Sequence, residues 1–165
     1  MKKLILSFAA VAAILGAIGL SGGSTPASAG LYDLRADMAC SPLTNSQLVQ
    51  EGDSQRCRIR IRNFSQYDIT NVTFVRDTPN TLTNRFIYSA WETTPFTCDL
   101  SGCTPFDIGK YGSVIIVEDS TFNASEDGRG LTKVEATGTM VVERVGKPTL
   151  YIPVSGGGTE QKSLP

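Results

Sequence analysis

The chain has 165 residues, with 15 lysines and arginines against 16 aspartates and glutamates, no histidine and four cysteines. This balance excludes the basic surface that a nucleic-acid-binding domain needs. The lack of histidine removes the usual general base of a serine or cysteine hydrolase and the commonest zinc ligand.

At the start, Met1-Lys2-Lys3 is followed by an apolar run from Leu4 to Leu20, then by small and chain-breaking residues up to Ala27-Ser28-Ala29. A basic start, an apolar stretch and a small-x-small site are the parts of a secretion signal, so residues 1–29 are expected to be removed by cleavage between Ala29 and Gly30. The alternative is a retained anchor, for which the run lies at the short end of the roughly 17–25 residues that span a bilayer. No cysteine in or just after the run offers a site for a lipid anchor. The expected location is secreted or extracytoplasmic, at the cell surface or in the periplasm, with no membrane span left after cleavage. Loss of Lys2 and Lys3 makes the exported part more acidic, and roughly 125 residues remain for one domain.

After the signal, alternation of apolar and polar residues dominates and helical spacing is hard to find. Tyr32, Leu34, Ala36 and Met38 alternate with Asp33, Arg35 and Asp37, giving a first strand that Ser41-Pro42 ends. From Gln55 to Asn63 the pattern is clearest: Cys57, Ile59 and Ile61 point one way, while Arg56, Arg58, Arg60 and Arg62 point the other. Asn71 to Asp77 and Phe86 to Trp91 read as strands, separated by a turn at Thr78-Pro79-Asn80. Glu92 to Gly112 reads as a loop or short stapled hairpin. Ser113 to Glu118, with Val114, Ile115, Ile116 and Val117, suits a strand inside a sandwich. Leu131 to Val145 and Leu150 to Val154 complete the set. About seven short strands with turns between them predict an all-β antiparallel sandwich over residues 30–154. The Gly-rich segment 155–165 reads as a flexible tail.

Cys40, Cys57, Cys98 and Cys103 all lie in the exported part, and an even count in an oxidising compartment points to disulfides rather than metal. Loop closure favours Cys40–Cys57 and Cys98–Cys103 among the three pairings that four cysteines allow, and a crossed arrangement stays open.

Several segments together resemble a known family. Ser41-Pro42, Glu51-Gly52-Asp53, the strand ending in Ile61-Arg62-Asn63, and Asn71-Val72-Thr73-Phe74-Val75-Arg76-Asp77-Thr78-Pro79 resemble the DUF11-type domains of bacterial surface proteins. Phe96-Thr97-Cys98, Cys103, Ile108-Gly109 and Gly112 look similar to that family's second half. The resemblance covers residues 31–145 in a single copy. It implies an immunoglobulin-like sandwich in an exported protein and supplies no catalytic residues.

For chemistry, the arginine ladder Arg56, Arg58, Arg60 and Arg62 is the candidate face for an anionic ligand, since guanidinium groups grip carboxylates and phosphates in pairs. The competing reading is structural: Asp33 and Asp37 on the preceding strand would pair with the ladder across the sheet. Phe86, Tyr88 and Trp91 read as core in preference to the alternative, a platform on which a sugar ring stacks. Glu126-Asp127-Gly128 lacks the alternating oxygen ligands of a calcium loop, and no serine sits in a G-x-S-x-G elbow. No catalytic residue, metal or cofactor is expected. The triplets Asn63-Phe64-Ser65, Asn71-Val72-Thr73 and Asn123-Ala124-Ser125 match a glycosylation pattern and are taken as incidental. The expected function is a non-catalytic secreted or surface-associated binding or structural module, whose partner is a protein or a cell-envelope glycan and not nucleic acid. The alternatives are a subunit of an extracellular polymer assembled by strand addition, and a small secreted hydrolase.

Overall fold

The structure is a computed structural model that describes residues 33–43, 50–123 and 129–163. The expected signal segment, the Glu126-Asp127-Gly128 turn and part of the Asn123-Ala124-Ser125 triplet lie outside the described residues. Every element in them is a strand: β1 (Leu34–Pro42), β2 (Ser54–Asn63), β3 (Asp68–Asp77), β4 (Thr81–Thr93), β5 (Cys98–Asp99), β6 (Gly102–Cys103), β7 (Phe106–Thr121), β8 (Arg129–Arg144) and β9 (Lys147–Ser163).

One layer runs β1-β2-β7-β4 and the other β3-β8-β9, with all neighbours antiparallel. Setting aside the small β5–β6 hairpin, the seven long strands fall into the two orders first-second-fifth-fourth and third-sixth-seventh. That is the strand order of a seven-stranded immunoglobulin-like sandwich. The alternation read in β2 explains why these residues form this layer: Cys57, Ile59 and Ile61 are fully buried against Val114 and Ile116 of β7, while the arginines between them face out. Leu34 and Ala36 from β1, Ile69 and Val72 from β3, and Val134 and Ala136 from β8 close the core from the other strands.

The layers are joined because β7 changes partners. Along one edge it pairs with β3 at Phe106 and Ile108, then with β2 from Ser113 onward, while its other edge keeps β4. The switch uses backbone that ordinary strands avoid. Tyr111, Asn71 and Glu92 all have positive φ (59°, 52° and 52°), the last two at the register shifts of β3 and β4. Gly112 is required there, since a methyl group in its place would lie 2.8 Å from Ile108 Cγ2 and 2.9 Å from the Glu92 carbonyl oxygen. Asn63, buried at the end of β2, fastens the corner: its Nδ2 donates to the carbonyls of Tyr67 (2.7 Å) and Gly109 (3.0 Å), and its Oδ1 accepts from the Ser65 amide (2.8 Å).

Three expectations about elements change. The stretch from Glu92 to Gly112 holds a two-stranded hairpin closed by a Cys98–Cys103 disulfide, but its last part is already β7, which starts at Phe106 under the stacked ring of Phe96. The strand read at Phe86–Trp91 is longer, spanning 81–93. The segment from Ser155, read as a flexible tail, is the second half of β9 up to Ser163, paired to β8 through Ala136↔Gly156 and Val134↔Gly158. Its glycines serve close approach rather than flexibility: a methyl group on Gly156 would collide with the Leu34 carbonyl oxygen of β1, and one on Gly158 would lie 2.7 Å from that of Ala36.

Candidate functional site

The register of the β1-β2-β7-β4 layer sets out its solvent face row by row. Across β2, β7 and β4 the outward rows are Arg62, Ser113 and Trp91; Arg60, Ile115 and Ser89; Arg58, Val117 and Phe86; Arg56, Asp119 and Asn84. A wall of arginines on β2 and a wall of aromatics on β4 therefore stand on either side of a lower floor made by β7, two strand spacings of about 4.8 Å apart in all.

The ladder is not uniform. At one end, Arg56 grips Asp119 of β7 with two parallel bonds, Nε to Oδ1 at 2.6 Å and Nη2 to Oδ2 at 3.0 Å. At the other end, Arg62 Nη2 donates to Asp37 Oδ2 at 2.8 Å, and Arg35 Nε donates to Asp37 Oδ1 at 2.7 Å. The hydrogen bond from Arg56 holds the Asp119 carboxyl below its ordinary pKa. Burial opposes ionisation of Asp37, yet the bonds from Arg62 and Arg35 outweigh it and lower its pKa as well. Between these two engaged ends, Arg58 and Arg60 form no ion pair with a carboxylate among the described residues, and Asp37, opposite Arg60 in register, is held by Arg62 and Arg35. The Arg58 guanidinium lies 5.4 Å from the centre of the Tyr88 ring, a cation–π contact. Arg62 makes a similar contact with Phe64 at 4.7 Å.

Cross-strand pairing thus accounts for half of the ladder, and by a different route from the one expected: Asp37 contributes, but the acid that meets Arg56 comes from β7 rather than from β1. Asp33 offers its backbone carbonyl to the Phe64 amide. Beside Arg58, a shallow groove of about 330 Å³ is lined by Ala39, Ser41, Arg56, Arg58 and Val117. Cys40, directly opposite Cys57 and joined to it by a disulfide, closes the floor of that groove and ties β1 to β2.

The aromatic wall was misread from sequence. Tyr88 is 62% exposed, Trp91 56% and Phe86 37%, so none is core. The inward residues of this part of β4 are Arg85 and Ile87, opposite the buried Glu118 and Ile116. A register shift between Ile87 and Ser89 then turns Ser89 and Trp91 to the face that Phe86 and Tyr88 occupy. The sequence signal was there: with Arg85 and Ile87 on one face, Phe86 and Tyr88 fall on the other.

No protein-family model matches the chain, and no curated protein matches it. Solved structures similar to it include two bacterial surface domains. One is a collagen-binding domain from a Staphylococcus aureus adhesin, 13% identical, with a TM-score of 0.36 over 79% of this chain and 97% of that one. The other is the collagen-binding subdomain of the Enterococcus faecalis surface protein ACE, 8% identical, with a TM-score of 0.31 over 77% of this chain and 94% of that one.

Chemically, the face sets charge and flat apolar surface side by side. Its carboxylates are engaged with arginines, its cations lie along a line rather than around a pocket, and its aromatic rings offer flat apolar surface beside unpaired guanidinium groups.

Proposed function

We propose that this chain is an exported, non-catalytic binding module of the bacterial envelope, and that it holds an anionic glycan across the outer face of the β1-β2-β7-β4 layer. The observation that carries this reading is the pair Arg58 and Arg60, which form no ion pair among the described residues because Asp37, opposite Arg60, is held by Arg62 and Arg35, and which are set across β7 from exposed Phe86, Tyr88 and Trp91. Guanidinium groups recognise carboxylate or sulfate groups, and aromatic rings give a sugar ring an apolar surface to lie on. Large exposed aromatics grouped on one face of a domain that already has a complete core mark an interaction surface. Export is supported by the signal pattern of residues 1–29 and by two disulfides, which persist in oxidising compartments. The intact mass of the secreted protein should be that of a chain starting at Gly30, and a mass retaining residues 1–29 would refute cleavage.

An array of neutral, uronate-bearing and sulfated glycans tests the binding reading. The wild-type chain should retain the charged glycans, and the variant carrying Arg58→Ser and Arg60→Ser should lose them while staying folded. Equal retention by both would rule this face out, and retention of an acidic protein but no glycan would move the reading to a protein partner.

A polymer assembled by strand addition is the second reading, favoured by the outer edge of β4, which pairs with no strand among the described residues. Three register shifts in its pairing with β7, at 82–84, 87–89 and 91–93, bend that strand, so a monomer is expected in size-exclusion chromatography, and fibres in electron micrographs would support the polymer. A panel of glycosidase, esterase and protease substrates, expected to give no turnover, tests the hydrolase alternative.

A further inference from the structure

The sandwich holds a second group of charged side chains, this one between its layers. Arg76 reaches in from β3, while Arg85 of β4 and Glu118 of β7 come from the opposite layer. Their side chains are 5%, 9% and 0% exposed. Arg85 Nε donates to Glu118 Oε1 at 2.7 Å. Arg76 Nε lies 2.9 Å from Glu118 Oε2, close enough for ion pairing but not aligned as a hydrogen bond. Arg76 Nη2 is also buried and meets no acceptor among the described residues.

Among the described residues the buried charges do not cancel: two cations face one carboxylate. The other contacts of Arg85 leave that excess in place, since Nη1 donates to the backbone carbonyl of Asp99 at 3.0 Å and the guanidinium lies 5.7 Å from the Phe74 ring centre. The Asp99 carboxylate also attracts Arg85, but from the exposed hairpin, where it accepts from the Ser101 amide and hydroxyl and water screens its charge.

We infer that Arg76 and Arg85 bind a small monovalent anion of the chloride class between the two layers, on the Arg76 side of Glu118. A water molecule would satisfy the free N–H groups but leave the uncompensated charge in a low-dielectric interior, where it is costly. One monovalent anion answers both needs, because it accepts from Nη2 and balances the excess cation. A divalent anion would replace an excess of one sign by an excess of the other. Burial lowers the Arg76 pKa and the nearby Arg85 lowers it further against the opposing pull of Glu118, as expected of a cation short of negative charge.

Thermal unfolding of the exported chain at fixed ionic strength, with chloride replacing gluconate, tests this site. The midpoint should stay nearly flat below about 10 mM chloride and then rise with the logarithm of its concentration, by roughly 7 °C between 5 and 500 mM for an affinity near 10 mM. Bromide and nitrate should act alike. Arg76→Met should abolish the response, whereas the Arg58→Ser and Arg60→Ser pair should retain it, which separates this site from the outer face. A flat wild-type curve, or a response that Arg76→Met keeps, would overturn the inference. Should Arg76→Met fail to fold, crystals of the wild-type chain grown in bromide decide the matter. An anomalous peak within hydrogen-bonding distance of Arg76 Nη2 supports the site, and a water or empty density there overturns it.

Discussion

Arginines on the inside and on the outside of this sandwich follow different rules. Arg76 and Arg85 lie between the layers and are organised around Glu118, because a charge removed from water must be met within the molecule. Arg58 and Arg60 stand on the solvent face of the same layer that supplies Glu118, with water to solvate them and no ion pair among the described residues, since Asp37 opposite Arg60 is taken by Arg62 and Arg35. Inside, charge is a condition of folding. Outside, it is available to a partner. The contrast teaches that the arginine count of a strand says little until its facing is known: the striping of β2 sends its four arginines outward, while one step along β4 turns Arg85 in and Phe86 out.

The largest test of this contrast is Glu118→Gln, which leaves two buried cations without their carboxylate and should cost about 3–5 kcal/mol in urea unfolding. A midpoint equal to that of the wild type would break the distinction. Replacing Cys40 and Cys57 together by Ser frees a 17-residue separation that the disulfide now closes, and should cost about 3 kcal/mol by the loop-closure argument. It should also loosen β1 from the strand that carries the ladder. Gly156→Ala forces a methyl group onto the Leu34 carbonyl and should cost about 1–3 kcal/mol. No loss would mean that β9 does not pack against β1 as described.

Smaller effects probe the outer face. The Asp119 carboxyl is held below its ordinary pKa by Arg56, so its contribution to stability is present above about pH 3.9 and fades as the pH falls through its depressed value in the folded state. Between pH 5 and 2 the wild type should therefore lose more stability than Asp119→Asn, and parallel curves would show that the pair is inert. The smallest change in stability belongs to Arg58→Ser with Arg60→Ser, whose unfolding midpoint should stay within about 1 °C of the wild type, as expected of exposed residues without partners.

How much of this was legible beforehand follows from the physics of each region. The sandwich was readable because β2 and β7 alternate or run apolar as strands of a two-layer core must, and near-neighbour cysteine pairing follows from chain entropy. The Asn63 corner was visible as a motif, though its reach to Gly109 was not. The Gly-rich half of β9 was not legible, because a strand that packs through backbone carries no apolar pattern and looks like a linker. The exposed aromatics of β4 were missed for a related reason: aromatic residues in a strand are usually buried, and only the pairing of Arg85 with Glu118 shows which face is inner. The same pairing explains why Arg76 drew no notice, since its partner acid lies 42 positions away and on the other layer.

The most direct test of the division between inner and outer arginines is a proton–nitrogen correlation spectrum of the arginine Nε–Hε groups, recorded while a uronate polysaccharide is titrated in. The Arg58 and Arg60 signals should shift along a saturating curve, and those of Arg76 and Arg85 should stay fixed throughout. Shifts of equal size at all four arginines, or none at Arg58 and Arg60 while the polysaccharide binds, would contradict the account.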